Sequence, residues 1–139
     1  MCRKRLYRNK KDGKILILTL MGLAGISGAF VDTLGVQYRT DFEHLDYMGY
    51  ISKKEEIELS YLYLDGYRYL TKEQDGKVKL WRNIPKRFIL AKGSFWTVEE
   101  GLSEKNWCRP AHGEYNFTKW EDAPIVIEDV VDVTGIKKL

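Results

Sequence analysis

Residues 15–31, ILILTLMGLAGISGAFV, contain no charged side chain, and they follow fourteen residues that carry seven Lys and Arg and one Asp. Such a stretch has no favourable place in water, so lipid, a translocation channel or the protein's own interior must cover it. As a helix, 17 residues span about 26 Å, slightly short of a bilayer core of about 30 Å, and Thr33 with a snorkelling Lys14 would close the gap. Basic residues before the run, and Asp32, Asp41, Glu43 and Asp46 after it, predict a single-pass anchor with a cytoplasmic N-terminus and the rest of the chain outside.

Small residues reinforce that expectation. Ala24 with Gly28, and Gly25 with Ala29, stack at four-residue spacing, which lets membrane helices approach closely. A cleaved signal peptide is the near alternative, with Ser27 and Ala29 supplying the small residues before Phe30. A third reading places the run in a protein core, as a helix or a strand. The observation that separates these readings is whether residues 15–31 pack against the rest of the chain.

The same run holds Gly22, Gly25 and Gly28 as G-x-x-G-x-x-G, with Ile15 to Leu20 as a possible strand before it. This resembles the phosphate loop of extended short-chain dehydrogenases and their relatives. The resemblance covers about 20 residues and implies a nucleotide on a helix N-terminus. That family needs further strand–helix units, whereas this chain continues in short hairpin patterns, so no cofactor is expected.

Beyond the run, alternation and turn chemistry predict a mainly β (α+β) fold. Thr40 and Glu43 have capping-box spacing, Phe42 and Leu45 share a face, and Gly49 follows, which together predict one short helix. Ile57, Leu59, Tyr61 and Tyr63 alternate with Glu58, Ser60, Leu62 and Leu64. Asp65-Gly66 and Asp75-Gly76 are both type I′ hairpin signals, so strands are expected at about 56–64, 67–72 and 77–82 in an antiparallel meander. Residues 87–91 and 95–98 read as a further pair around Lys92-Gly93. Residues 99–118 read as a loop, and residues 125–133 as a last strand. The expected organisation is a basic tail (1–14), an apolar helix (15–33) and one β-rich domain (34–139) of five or six antiparallel strands.

Charge is uneven behind a net value of only +3. Residues 67–92 carry eight basic and two acidic side chains. Within that block Arg68, Lys77, Lys79, Arg82, Lys86, Arg87 and Lys92 are interleaved with Tyr67, Tyr69, Trp81, Phe88 and Trp96. Cations beside aromatic faces on strands can neutralise phosphates and stack bases, so a nucleic acid or an acidic partner is one candidate ligand. An ordinary sheet with one wet face has the same composition.

Catalytic signals are sparse. Glu99-Glu100 and Glu121-Asp122 are adjacent pairs whose side chains diverge on a strand, and His44 and His112 lack a surrounding motif. Cys2 and Cys108 form no metal-ligand spacing, and two histidines in the whole chain are too few to complete a zinc site with Cys108 and His112. Asn116-Phe117-Thr118 is a glycosylation sequon, relevant only to a eukaryotic secretory protein.

The segments DGKVKLWRNIP and KWEDAPIVI resemble small phage and prophage proteins in which a β-meander ends in Trp-Glu-Asp-x-Pro. The likeness spans about residues 60–127. It implies an accessory protein directed at host or phage components, with Trp120 as a contact residue or a core anchor. The sequence therefore points to a non-enzymatic, membrane-tethered or exported binding protein acting through protein contacts. A basic aromatic sheet face for nucleic acid and a nucleotide site at Gly22, Gly25 and Gly28 are its alternatives.

Overall fold

The computed structural model describes residues 3–91, 93–98 and 108–137. Cys2, Lys92, the Glu99-Glu100 pair and residues 101–107 of the predicted 99–118 loop lie outside them. The chain is mainly β, with antiparallel sheets and few helices.

Strands β1 (Arg3–Asn9), β2 (Ile15–Met21), β3 (Ser27–Val31), β4 (Gln37–Asp41) and β5 (Leu45–Ser52) form one sheet in the order β4-β3-β2-β1-β5. The expected basic tail is thus largely β1, which lies between β2 and β5. The expected apolar helix is two strands and a turn. No helix among the described residues is long and apolar enough to cross a membrane, so the single-pass anchor and the topology built on it are withdrawn.

The lack of charge in β2 has a local cause. Ile15 and Ile17 enter the main core, while Leu16 packs with Tyr7, Phe30 and Leu45 on the opposite face, and Leu18 joins them. A strand buried on both faces reads as a continuous apolar run rather than an alternating one. All five strands and Phe42, from the 3-10 turn Phe42–His44, supply this second cluster, so the sheet curls around it. Register shifts at Leu6/Tyr7 and Leu18/Leu20 are the bulges that increase its coil.

The glycines and alanines assigned to helix packing or phosphate binding serve the β2–β3 connection instead. Ala24 and Gly25 both have positive φ in the turn. Gly28 sits in β3, where an added Cβ would lie 3.1 Å from Leu18, Phe30 and Phe42. Ala29 pairs with Leu20 and Arg39 across the sheet. Gly22 admits the Ser27 carbonyl, which a Cβ would approach to 2.8 Å. The turn holds only a 3-10 segment, Leu23–Gly25, and then enters β3. It therefore does not open the α-helix that a pyrophosphate loop requires.

The predicted helix near residues 40–49 is the 3-10 turn followed by β5. The helix lies later, where a strand was expected: α1 (Lys53–Leu64). Ser52 and Glu55 form its capping box, and Gly66, at φ +102°, ends it. The amides of Gly66 and Tyr67 donate to the carbonyls of Tyr63 and Leu62, the Schellman arrangement. Asp65-Gly66 is thus a helix terminus and not a hairpin turn.

A second sheet, in the order β10-β7-β6-β11, contains β6 (Tyr69–Lys72), β7 (Val78–Trp81), β10 (Cys108–Pro110) and β11 (Ile125–Val126). The β6–β7 hairpin falls at Asp75-Gly76 as expected, but only Gly76 has positive φ, so residues 74–76 form a three-residue loop and not the expected type I′ turn. The last strand is shorter than expected, because a 3-10 turn at Ile127–Asp129 follows it, and the short helix α2 (Thr134–Lys137) comes next. Among the described residues, strands β8 (Lys86–Leu90) and β9 (Gly93–Thr97) pair only with each other. The main core joins Leu6, Ile51, Leu59, Leu62, Leu70, Leu80 and Ile127, and so unites the first sheet, α1 and the second sheet.

Candidate functional site

Because β5 runs straight into α1 at Ser52, the helix leaves the sheet edge and forms a crook with it. The crook is a half-open groove of about 920 Å³. Arg3 and Lys4 of β1, Tyr50 and Ser52 of β5, the first turns of α1 and the loop at residues 112–116 line it. Lys4 reaches Glu56 at 2.8 Å, and the Arg3 guanidinium lies 4.4 Å from the Tyr50 ring centre.

Two α1 carboxylates hold the 112–116 loop. Glu58 accepts the backbone N–H groups of His112 (2.9 Å) and Gly113 (3.2 Å), together with the Tyr115 hydroxyl. It also meets His112 Nδ1 at 2.9 Å. Glu55 accepts the Tyr115 amide in addition to its capping bond. Tyr115 is a buried non-glycine residue at φ +48°, a backbone conformation that persists only where surrounding contacts over-determine it. Burial pushes the Glu58 carboxyl up, but the Tyr115 and His112 hydrogen bonds and the Gly113 amide outweigh it, and the net shift is downward. Burial and the Glu58 charge push the Tyr115 phenol far upward, so it stays a neutral donor.

This arrangement organises a loop. His112 resembles the base of a carboxylate–imidazole pair, and its side chain is 91% exposed. The neighbouring hydroxyls are committed elsewhere, Ser52 to the Glu55 amide and Tyr115 to Glu58. The sequon is used structurally as well: Asn116 Oδ1 accepts the Tyr50 amide, while Phe117 and Thr118 are buried. Asp41, Glu43 and His44 bring possible metal ligands within 4.8 Å of one another, all on exposed surface.

The basic aromatic block divides into two groups. Arg87, Trp96, Trp120 and Trp81 come together as an internal cluster. Arg87 donates to the carbonyls of Trp120 (2.7 Å) and Asp122 (2.8 Å), and lies 4.7 Å and 5.0 Å from the ring centres of Trp96 and Trp120. Trp96 Nε1 donates to the Lys72 carbonyl, and the buried Trp81 donates to Thr71. These contacts seat the β8–β9 hairpin against the second sheet.

The remaining cations are dispersed. Arg68 stacks over Tyr63 and donates to the Tyr63 and Tyr67 carbonyls. Lys79 pairs with Glu73 at 3.4 Å, Lys77 approaches Asp75 at 4.0 Å, and Arg82 approaches Asp65 at 3.9 Å. Lys86 is exposed at the start of β8.

Sequence reasoning missed two exposed apolar surfaces. On the hairpin, Phe88 and Phe95 stack across the strands at 6.0 Å with exposed Leu90 on the same face, while Ile89 is exposed on the other face and Ile84 before the arm. On α1, Ile57, Tyr61 and Leu64 are exposed. The signal available for α1 was Ser52-Lys53-Lys54-Glu55, a capping box as good as the one read at Thr40. Comparison with protein families, curated proteins and solved structures finds no match for this chain.

Proposed function

We propose that this chain is a non-enzymatic accessory protein that acts through contacts with another protein. The β8–β9 hairpin carries the reading. Its outward Phe88–Phe95 stack, with exposed Leu90 on the same face of β8, leaves a cluster of large apolar side chains on a two-stranded arm. Contiguous exposed apolar surface disfavours a lone protein in water and commonly marks an interaction site. Arg87 and Trp96, on the inward face, hold the arm against the body, so the outward face is presented on a fixed support. The likeness of the KWEDAPIVI segment to phage proteins is in keeping with a target among host or phage components.

The test is a photo-crosslinking residue at position 90 of the full chain, on the same strand face as Phe88, expressed in the cells that encode it, with position 11 in the β1–β2 turn as control. Adducts with another protein are expected at 90 and not at 11, and Phe88→Ser with Phe95→Ser should abolish them. Position 90 giving no more protein adduct than position 11 would remove the reading.

A further inference from the structure

We infer that the outer face of α1 is a docking site for an acidic amphipathic helix of a partner protein. The inference rests on the protein-contact reading and adds the chemistry of the occupant at a second surface.

Helix α1 carries two apolar faces where folding requires one. Leu59, Leu62 and Tyr63 enter the core. Diametrically opposite, Ile57 (59% exposed), Tyr61 (64%) and Leu64 (57%) form a stripe at the three- and four-residue spacing of one helix face. Twelve residues make a ridge about 18 Å long, which matches about three turns of a second helix packed along it.

The charges around the stripe select the occupant. At its N-terminal end Lys53 and Lys54 are exposed, and no ion pair among the described residues uses them. At its C-terminal end Asp65 stands between Arg82 (3.9 Å) and Arg109 (3.5 Å), so two guanidinium groups face one carboxylate. The helix's own acids are withdrawn from this face. Glu55 and Glu56 are buried, and Glu58 is turned to the 112–115 loop. The stripe is therefore apolar in the middle and cationic at both ends.

A second copy fits poorly. An antiparallel pairing would set Lys53 and Lys54 against Arg82 and Arg109, and a parallel one would set Lys against Lys. A helix whose apolar ridge is bordered by Asp and Glu complements both features. Three side chains make a small contact, which suits a transient complex.

The experiment uses the full chain and two fluorescent helical peptides. One has Leu along one face and Glu on the other. Its twin has Lys at every Glu position. Anisotropy should show saturable binding of the Glu peptide and at least about ten-fold weaker binding of the Lys peptide. Ile57→Ser with Leu64→Ser should weaken the Glu peptide about ten-fold or more. Lys53→Glu with Lys54→Glu should weaken it and narrow the preference between the twins. All four positions are exposed, so melting temperatures should stay near that of the parent and separate lost binding from lost folding.

Equal binding of the two peptides, or undiminished binding by the Ser variant, would overturn the assignment. So would a dimer in sedimentation that the Ser variant dissolves, since the occupant would then be a second copy. If the α1 variants change nothing while adducts persist at position 90, the α1 site falls and the protein-contact reading stands. Absence of adducts at 90 removes the broader reading directly.

Discussion

Replacing Leu16 by Ala probes the two-sided burial of β2. Leu16 is 1% exposed and packs with Tyr7, Phe30 and Leu45 on the sheet face opposite the main core. Leu→Ala in a close-packed interior costs about 2–5 kcal/mol, more where the walls cannot collapse. Here the walls are interlocked rings, with Tyr7–Phe30 at 5.5 Å and Phe30–Phe42 at 5.6 Å, both edge-on. A value in the upper half of that range, about 3–4 kcal/mol, is expected. A 139-residue chain has an unfolding entropy of about 0.3 kcal/mol/K, so the melting temperature should fall by about 10–13 °C. Leu20, in the same strand, is 68% exposed, and Leu20→Ala should change stability by no more than about 0.5 kcal/mol. Ile17→Val trims the opposite face and should cost about 0.5–1.5 kcal/mol. Calorimetry with matched urea titrations measures all three. Equal effects at positions 16 and 20, or a loss below about 1 kcal/mol for Leu16→Ala, would refute the account, because a packed strand cannot treat its inward and outward leucines alike.

The site supplies two further expectations. Glu58→Ala strands the amides and the hydroxyl that Glu58 accepts, and should cost about 2–3 kcal/mol and raise amide exchange at residues 112–115. The Glu58 carboxyl is held below its ordinary value, so its contribution is complete above the unfolded pKa of about 4.3 and is lost as pH falls through the lower folded value; the penalty of Glu58→Ala should shrink on acidification over that range, and a pH-independent penalty contradicts this. Arg87→Ala removes two bonds to carbonyls and the stack between Trp96 and Trp120, and should shift tryptophan emission to the red and lower hairpin protection. Arg87→Lys should not restore it, since an ammonium cannot supply the planar fork, and unchanged emission in both variants would show that the cluster does not seat the arm.

Local signals were legible where one interaction decides the conformation. The hairpin at Asp75-Gly76 closes through Glu73 and Lys77, and Gly76 alone supplies the positive φ that its three-residue loop demands. The same dipeptide at Asp65-Gly66 ends a helix, because a glycine at positive φ serves either purpose and only the preceding residues distinguish them. Those residues misled. Helix α1 has apolar side chains on two opposite faces, so Ile57, Leu59, Tyr61 and Tyr63 imitate strand alternation while Glu55, Leu59, Leu62 and Tyr63 form the true inner face. The capping boxes at Thr40 and Ser52 were equal as sequence, and only the second is followed by residues that can bury one helical face against both sheets.

Chain chemistry by itself determined that the protein is mainly β, that residues 15–31 had to be covered, and where several turns fall, since these follow from hydration and backbone geometry within a few residues. Tertiary structure alone decided what covers the run. It made it a strand between two apolar layers, gathered Arg87, Trp96 and Trp120 into a support, and brought Glu58 against a loop more than fifty residues away. Burial on both faces and contacts between distant segments depend on which neighbours a strand acquires, and no short window of sequence contains them.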